Sequence, residues 1–476
     1  MKQVVIAALL TLACTMVYAD EDVERRIDAL QKELDALKSQ VEKNNGGSGE
    51  VESTEVESAE IERAETESTE IDIAALESSE VDSSEAENRK NARRESFEIA
   101  NPSNADYLGP AQRAKEQEGY RNTTLGGYGE INYNNYKDGS RRDEFDLQRF
   151  ILFVGHKFND RTRLFSEIEF EHAVIEGGDS KSGEVAMEQA FIEYDLTQTG
   201  TAALRSGLML LPVGILNEYH EPPTFYGVER NEVESRILPT TWRELGFAFR
   251  GNIASGLEYN TGFSTTPDAS LFTNASAGFR SMRAQGNRVT ANDFGYFGGL
   301  NYRGIPGFLL GGSLYTGNTA QNGQGKGSNP SALQGVDANL TVWDLHARYS
   351  ARGWNLRALY SKGGLGDTAA INAAAGLAPG SNKAAPESFS GWFVEAAYHV
   401  YRRGNFDVVP FVRYEDYNTQ ESVAPGYTID PLNDEDVITA GLSFYVDPQV
   451  VFKFDVQDYG TDDTKDRFNV GIGWMF

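Results

Sequence analysis

From about Tyr120 to Phe476 the chain is written in short stretches where large apolar residues take every second position. The last stretch, Asp466 to Phe476, is the plainest. Phe468, Val470, Ile472, Trp474 and Phe476 fall on one side of an extended strand, and Arg467, Asn469, Gly471 and Gly473 on the other. The same alternation predicts strands at Tyr128–Tyr133, Phe145–Phe158, Arg163–Val174, Val185–Leu196, Ala203–Leu210, Glu244–Arg250, Leu257–Ser264 and Tyr296–Arg303. It continues through Phe308–Thr316, Thr341–Ser350, Trp354–Ser361, Gly391–Tyr401, Phe406–Tyr417, Val437–Val446, Val451–Asp458 and the closing strand, about sixteen in all. Short turns such as Arg352-Gly353 and Asp447-Pro448 stand against long Gly-, Asn- and Ala-rich connections such as Thr316 to Leu340 and Gly363 to Ser388. An even strand count with short turns and long loops predicts an all-β fold, a transmembrane antiparallel β-barrel over residues 120–476.

Charge tells the two faces apart. In Thr341–Ser350, Asp344, His346 and Arg348 alternate with Trp343, Leu345, Ala347 and Tyr349. A charge placed in lipid costs a few kcal/mol at mid-depth, so the charged face looks into a wet lumen. By this rule Arg149, Arg163, Arg205, Arg348, Arg357, Arg413 and Lys453 point inward, as do Glu167, Glu169, Glu193, Glu395, Glu415 and Asp455. Most of them are expected to pair across neighbouring strands, and the remaining imbalance sets a field across the pore.

Ahead of the barrel the pattern changes three times. Residues 1–19 join Lys2, an apolar run too short to span a bilayer and a small-residue exit at Ala19, which reads as a secretory signal peptide containing the single cysteine, Cys14. Within residues 20–43, Val23, Ile27, Leu30, Leu34, Leu37 and Val41 form a heptad seam of about three heptads, a coiled-coil helix that needs partner strands or a tether. Residues 44–119 hold the pentads VESTE, VESAE, IERAE, TESTE, IDIAA, LESSE and VDSSE, whose period fits neither helix nor strand. They read as a self-repelling acidic spacer, or as a short pentapeptide-repeat β-helix. The formal charge of −28 argues against a nucleic-acid partner.

The longest early polar excursion, Asn217 to Arg243, lies between the fifth and sixth strands. The run LPVGILNEYHEPPTFYGVER there, with GYGEINY and RFILFVGHKFNDR upstream, resembles the phosphate-selective porin O/P family of outer-membrane porins. The resemblance implies a homotrimer of sixteen-stranded barrels in outer-membrane lipid. In each barrel, the loop after the fifth strand would fold inward as the constriction. Carried onto this chain, that loop presents Glu218, His220, Glu221, Tyr226, Glu229, Arg230, Glu232, Glu234 and Arg236, facing a pore wall of Arg149, Arg163, Arg205, Arg348, Arg357 and Arg413. The loop holds more acid than base, whereas the family's best-known pores concentrate Arg and Lys.

The implied function is passive diffusion of small hydrophilic solutes or ions, phosphate and other anions among them, by a protein that is not an enzyme. The alternative is an envelope tether, whose extension lies in the periplasm and contacts the cell wall or another envelope component. No cofactor is expected. None of the five histidines, His156, His172, His220, His346 and His399, forms a close pair at ligand spacing, so no metal site is expected either. A barrel hydrolase would draw its base from His346 or His399, with nothing in the sequence to single either out.

Overall fold

In the computed structural model, the described residues are 122–137, 139, 141–174 and 183–476. The expected signal peptide, coiled-coil helix and acidic spacer lie outside them. The ladder runs through β1 (Thr123–Tyr136), β2 (Glu144–Asn159), β3 (Thr162–Glu171), β4 (Glu184–Asp195), β5 (Ala202–Leu210), β6 (Arg243–Ala254), β7 (Leu257–Thr265), β8 (Phe294–Ile305) and β9 (Phe308–Asn318). It continues with β10 (Asn339–Ala351), β11 (Trp354–Leu365), β12 (Pro386–Tyr398), β13 (Tyr401–Arg403), β14 (Phe406–Val423), β15 (Asp434–Asp447), β16 (Val450–Tyr459) and β17 (Arg467–Met475). The three-residue β13 pairs with β14 just beyond β12, which also pairs with β14, so the wall is sixteen strands around. All pairings are antiparallel, and β1 closes the ring by pairing with both β2 and β17. Closure leaves no open edge, the condition for a sheet to cross a bilayer.

The faces separate as the alternation predicts. Along β10, Leu345 is 60% exposed while its neighbours Asp344 and His346 are 1% and 6% exposed. Around the ring, Phe247, Phe263, Leu300, Leu314, Leu356, Val394, Phe454 and Phe468 stay exposed, an apolar outer surface that a soluble protein would bury. The chain terminus joins this seam. Phe476 exchanges backbone hydrogen bonds with Gly127 at 2.8 and 2.9 Å, and its ring stacks on Phe150.

The connections are segregated. At one end they are two residues long (160–161, 255–256, 306–307, 352–353, 404–405 and 448–449), apart from 196–201. At the other end, 211–242, 266–293, 319–338 and 366–385 each run to twenty residues or more. These long loops carry short helical turns and a buried apolar cluster of Phe272, Phe279, Met282, Leu333 and Ile371. They roof the lumen and support the loop that enters it.

Candidate functional site

Residues 211–242 leave β5 and turn into the barrel, where most are buried. A buried loop must find partners for its backbone, and here the inward residues of the wall supply them. Val228 N–H donates to Asp455 at 2.6 Å, and Glu232 and Val233 N–H donate to one oxygen of Glu415 at 2.6 and 3.3 Å. In return Lys453 Nζ donates to the Gly227 carbonyl at 2.8 Å and Arg357 to that of Thr224 at 2.9 Å. Asn217 closes the loop's base, donating to the carbonyls of Leu211 and Trp242 and accepting from Trp242 N–H at 2.7 Å. The alternate glycines of β17 have a use at this point. A Cβ at Gly473 would collide with Pro222, and one at Gly471 would meet Val228, so the polar side of the closing strand is a bed for the loop.

Between this loop and the wall lies a cavity of about 320 Å³. Its charged lining is Arg149, Arg230, Arg236, Arg280 and Arg467 against Glu130, Glu229 and Glu232, a formal excess of two positive charges. Three of the arginines are paired: Arg149 with Glu130 at 2.7 Å, and Arg236 and Arg467 with Glu232 at 2.7 and 3.8 Å. Glu229 accepts from the amides of Asn132 and Asn134. Among the described residues Arg230 and Arg280 form no ion pair. Nε and Nη2 of Arg230 are buried without a hydrogen-bond partner, while Arg280 donates to the Thr240 carbonyl at 2.6 Å.

Local electrostatics sharpen the contrast. Burial would raise the Glu232 carboxyl, but Arg236 and Arg467 outweigh it and hold the group down at about 2. Glu232 in turn raises the Arg236 guanidinium. Burial, and after it the charges of Arg230 and Arg149, push Arg280 down to about 10. It remains a cation at neutral pH, held there against its neighbours by the fold. The clamp is visible: Phe279 packs edge-on to Trp242 at 5.0 Å, and Arg283 donates to the carbonyls of Pro239 and Thr241 at 2.7 and 2.9 Å.

Of the expected loop residues, Glu229, Arg230, Glu232 and Arg236 line the cavity, and the others do not. Glu234 binds the amides of Ile215 and Leu216 at 2.5 and 2.7 Å and the side chain of Asn231. Glu218 lies 3.9 Å from Arg205. Tyr226 is fully buried and stacked on Phe411, and His220 and Glu221 are buried against the wall on the β3–β4 side.

Of the expected wall arginines only Arg149 lines the cavity. Arg163 binds Asp195 and Glu193, Arg205 binds Glu193, Arg357 binds Glu395, Arg413 binds Glu395 and Glu415, and Arg348 is buried. Four of these five, Arg163, Arg205, Arg357 and Arg413, meet a carboxylate on their own or a neighbouring strand and so brace the wall. Two cavity arginines escape sequence reasoning. Arg280 comes from the loop after β7, and Arg467 begins the closing strand. The two histidines nominated for a hydrolase are also wall partners. His346 contacts Asp344 at 2.6 Å and Asn301 at 3.0 Å, and His399 contacts Asp407 at 2.7 Å.

An uncharacterised protein of Aquifex aeolicus (strain VF5) is 30% identical to this chain over 385 residues, covering 78% of this chain and 83% of its own length. This chain belongs to its family. No family model matches the sequence. Solved structures similar to this family member include Salmonella typhi OmpF in complex with daunomycin (14% identity, TM-score 0.49, 74% of this chain and 97% of that one). They also include the outer-membrane channel DcaP of Acinetobacter baumannii (12%, 0.46, 76% and 100%) and an anion-selective porin from Comamonas acidovorans (13%, 0.45, 74% and 99%). The barrel assignment stands on this chain's own closed ladder and the charge excess on its own residues.

Proposed function

We propose that this protein is an outer-membrane porin through which small hydrophilic anions diffuse down their gradient, with inorganic phosphate in the permeating class. The observation that carries the reading is the narrow cavity between the infolded loop and the wall, where five guanidiniums face three carboxylates. Water-filled, charged constrictions select by radius and by the sign of the field. Arg suits phosphate, since its planar fork offers two parallel donors to two oxygens. The resemblance of LPVGILNEYHEPPTFYGVER and its companion runs to phosphate-selective porins supports the same ligand class and a homotrimer.

The test is chloride conductance of the purified protein in a planar bilayer, with phosphate added to one side. Phosphate should lower the chloride current in a saturable way. Chloride current indifferent to phosphate would remove phosphate from the proposal, and absence of any conductance would remove the porin.

A further inference from the structure

Behind the constriction loop, residues of β3 and β4 meet the loop through a cluster of acids and one histidine. Glu167 is 1% exposed, Glu188 0%, His220 3% and Glu221 1%. One ligand atom each from Glu167, Glu188 and His220 lie within 4.8 Å of one another. Sequence spacing could not predict this group, because its members come from two strands and a loop.

Three independent features fit a bound cation. First, the β3–β4 register slips between Glu167 and Ile168, so Gln189 and Met187 are partnered on β4 and Glu188 between them is the extra residue. The bulge turns Glu188 inward together with Gln189, and bulges re-aim side chains in this way beside functional sites. Second, His220 Nδ1 lies 3.2 Å from the Asn217 carbonyl, which accepts only, so Nδ1 carries the proton in the neutral ring. In that neutral ring Nε2 offers a lone pair 3.3 Å from Glu188 Oε2, whereas the imidazolium donates to the same oxygen as an ion pair, and a cation between them would replace that proton. A ring nitrogen fixed by a backbone carbonyl, with the other nitrogen free, is the arrangement that metal-binding imidazoles share. Third, both carboxylate oxygens of Glu221, next to His220 in the chain, are buried without a hydrogen-bond partner. Neutral donors occupy one oxygen of each wall acid, Thr241 on Glu188 and Gln189 on Glu167, both at 2.7 Å. The nearest guanidinium to Glu188 is that of Arg243, at 3.9 Å.

We infer that Glu167, Glu188 and His220 bind a divalent transition-series cation that staples the constriction loop to the β3–β4 wall. Burying carboxylates requires pairing or coordination, and a mixed imidazole and carboxylate set suits Zn²⁺ or Mn²⁺ better than Mg²⁺. The residues of this site are not among those lining the arginine cavity, and the inference does not depend on what permeates.

The experiment uses full-length protein, purified without an affinity tag and dialysed against metal-free buffer. Elemental analysis should find about one transition-metal ion per chain, chelation should lower the thermal midpoint and raise open-channel current noise, and added Zn²⁺ should restore both. Glu188→Gln and His220→Gln should each weaken Zn²⁺ binding by at least about tenfold. Metal-free protein that takes up no Zn²⁺ and ignores the chelator would overturn the inference, leaving protonated or proton-sharing carboxylates as the means of burial. Full Zn²⁺ retention by both folded variants would overturn it too, by placing the metal elsewhere. The wild-type measurements decide the matter even where a variant fails to assemble.

Discussion

Arg230 and Arg280 are the residues on which the field in the constriction turns, since their charges have no carboxylate partner among the described residues. Replacing both with Glu changes the lining from five Arg and three Glu to three Arg and five Glu, reversing its formal balance. The expected outcome is inversion of the zero-current potential under a KCl gradient, while Arg205→Gln, which removes a charge already paired with Glu193, leaves the sign unchanged. Titration gives a second check. A guanidinium is charged below its pKa, and Arg280 sits at about 10, so anion preference should hold through neutral pH and decline as pH rises through that value. Planar-bilayer reversal potentials across the alkaline range would show it, and the Arg280→Gln protein should lose the alkaline step. Counting acids along Asn217 to Arg243 misjudges this residue-scale result. The stretch is acidic in composition, yet Glu234 is engaged by backbone amides and Glu218 and Glu221 lie away from the cavity.

The strands are legible in the sequence because a bilayer-spanning wall enforces one rule at every position: apolar outside, small or polar inside. Violating it on the lipid side costs about 2–4 kcal/mol at mid-depth. The sixteen strands and their inward residues follow from that rule, down to Asp344, His346 and Arg348. No comparable rule governs the loops. Nothing in the order of residues 266–293 says that Phe279 will wedge against Trp242 and deliver Arg280 to the cavity. The bulge that turns Glu188 inward also breaks the alternation on which the sequence reading relies. At this scale the loop's attachment can be tested at its base. Asn217→Ala leaves the buried Trp242 N–H without its partner, while the Leu211 carbonyl keeps the Val213 N–H. Such a loss costs about 1–3 kcal/mol. The variant should show a lower thermal midpoint and a noisier open channel, with the barrel's circular dichroism unchanged. Quiet, wild-type currents from this variant would mean that the wall contacts at Asp455, Glu415 and Lys453 hold the loop without it.

The molecule as a whole joins a closed barrel to an N-terminal stretch of different composition, predicted to be a coiled coil followed by an acidic spacer. The ring is complete within the described residues, since β1 pairs with β17, so the barrel needs no strand from the extension. Deleting residues 20–118 should therefore leave conductance and its sign unchanged. Envelope defects in cells carrying that deletion would assign the extension the tethering role instead. Loss of channel activity would tie the extension to barrel assembly.

The central claim is that the constriction favours anions because guanidiniums outnumber carboxylates at the infolded loop. Its most direct test is the zero-current potential of the wild-type protein in a planar bilayer under a KCl gradient at neutral pH. The account predicts a potential on the chloride side. A potential on the potassium side would contradict it, showing that the loop's carboxylates govern the pore.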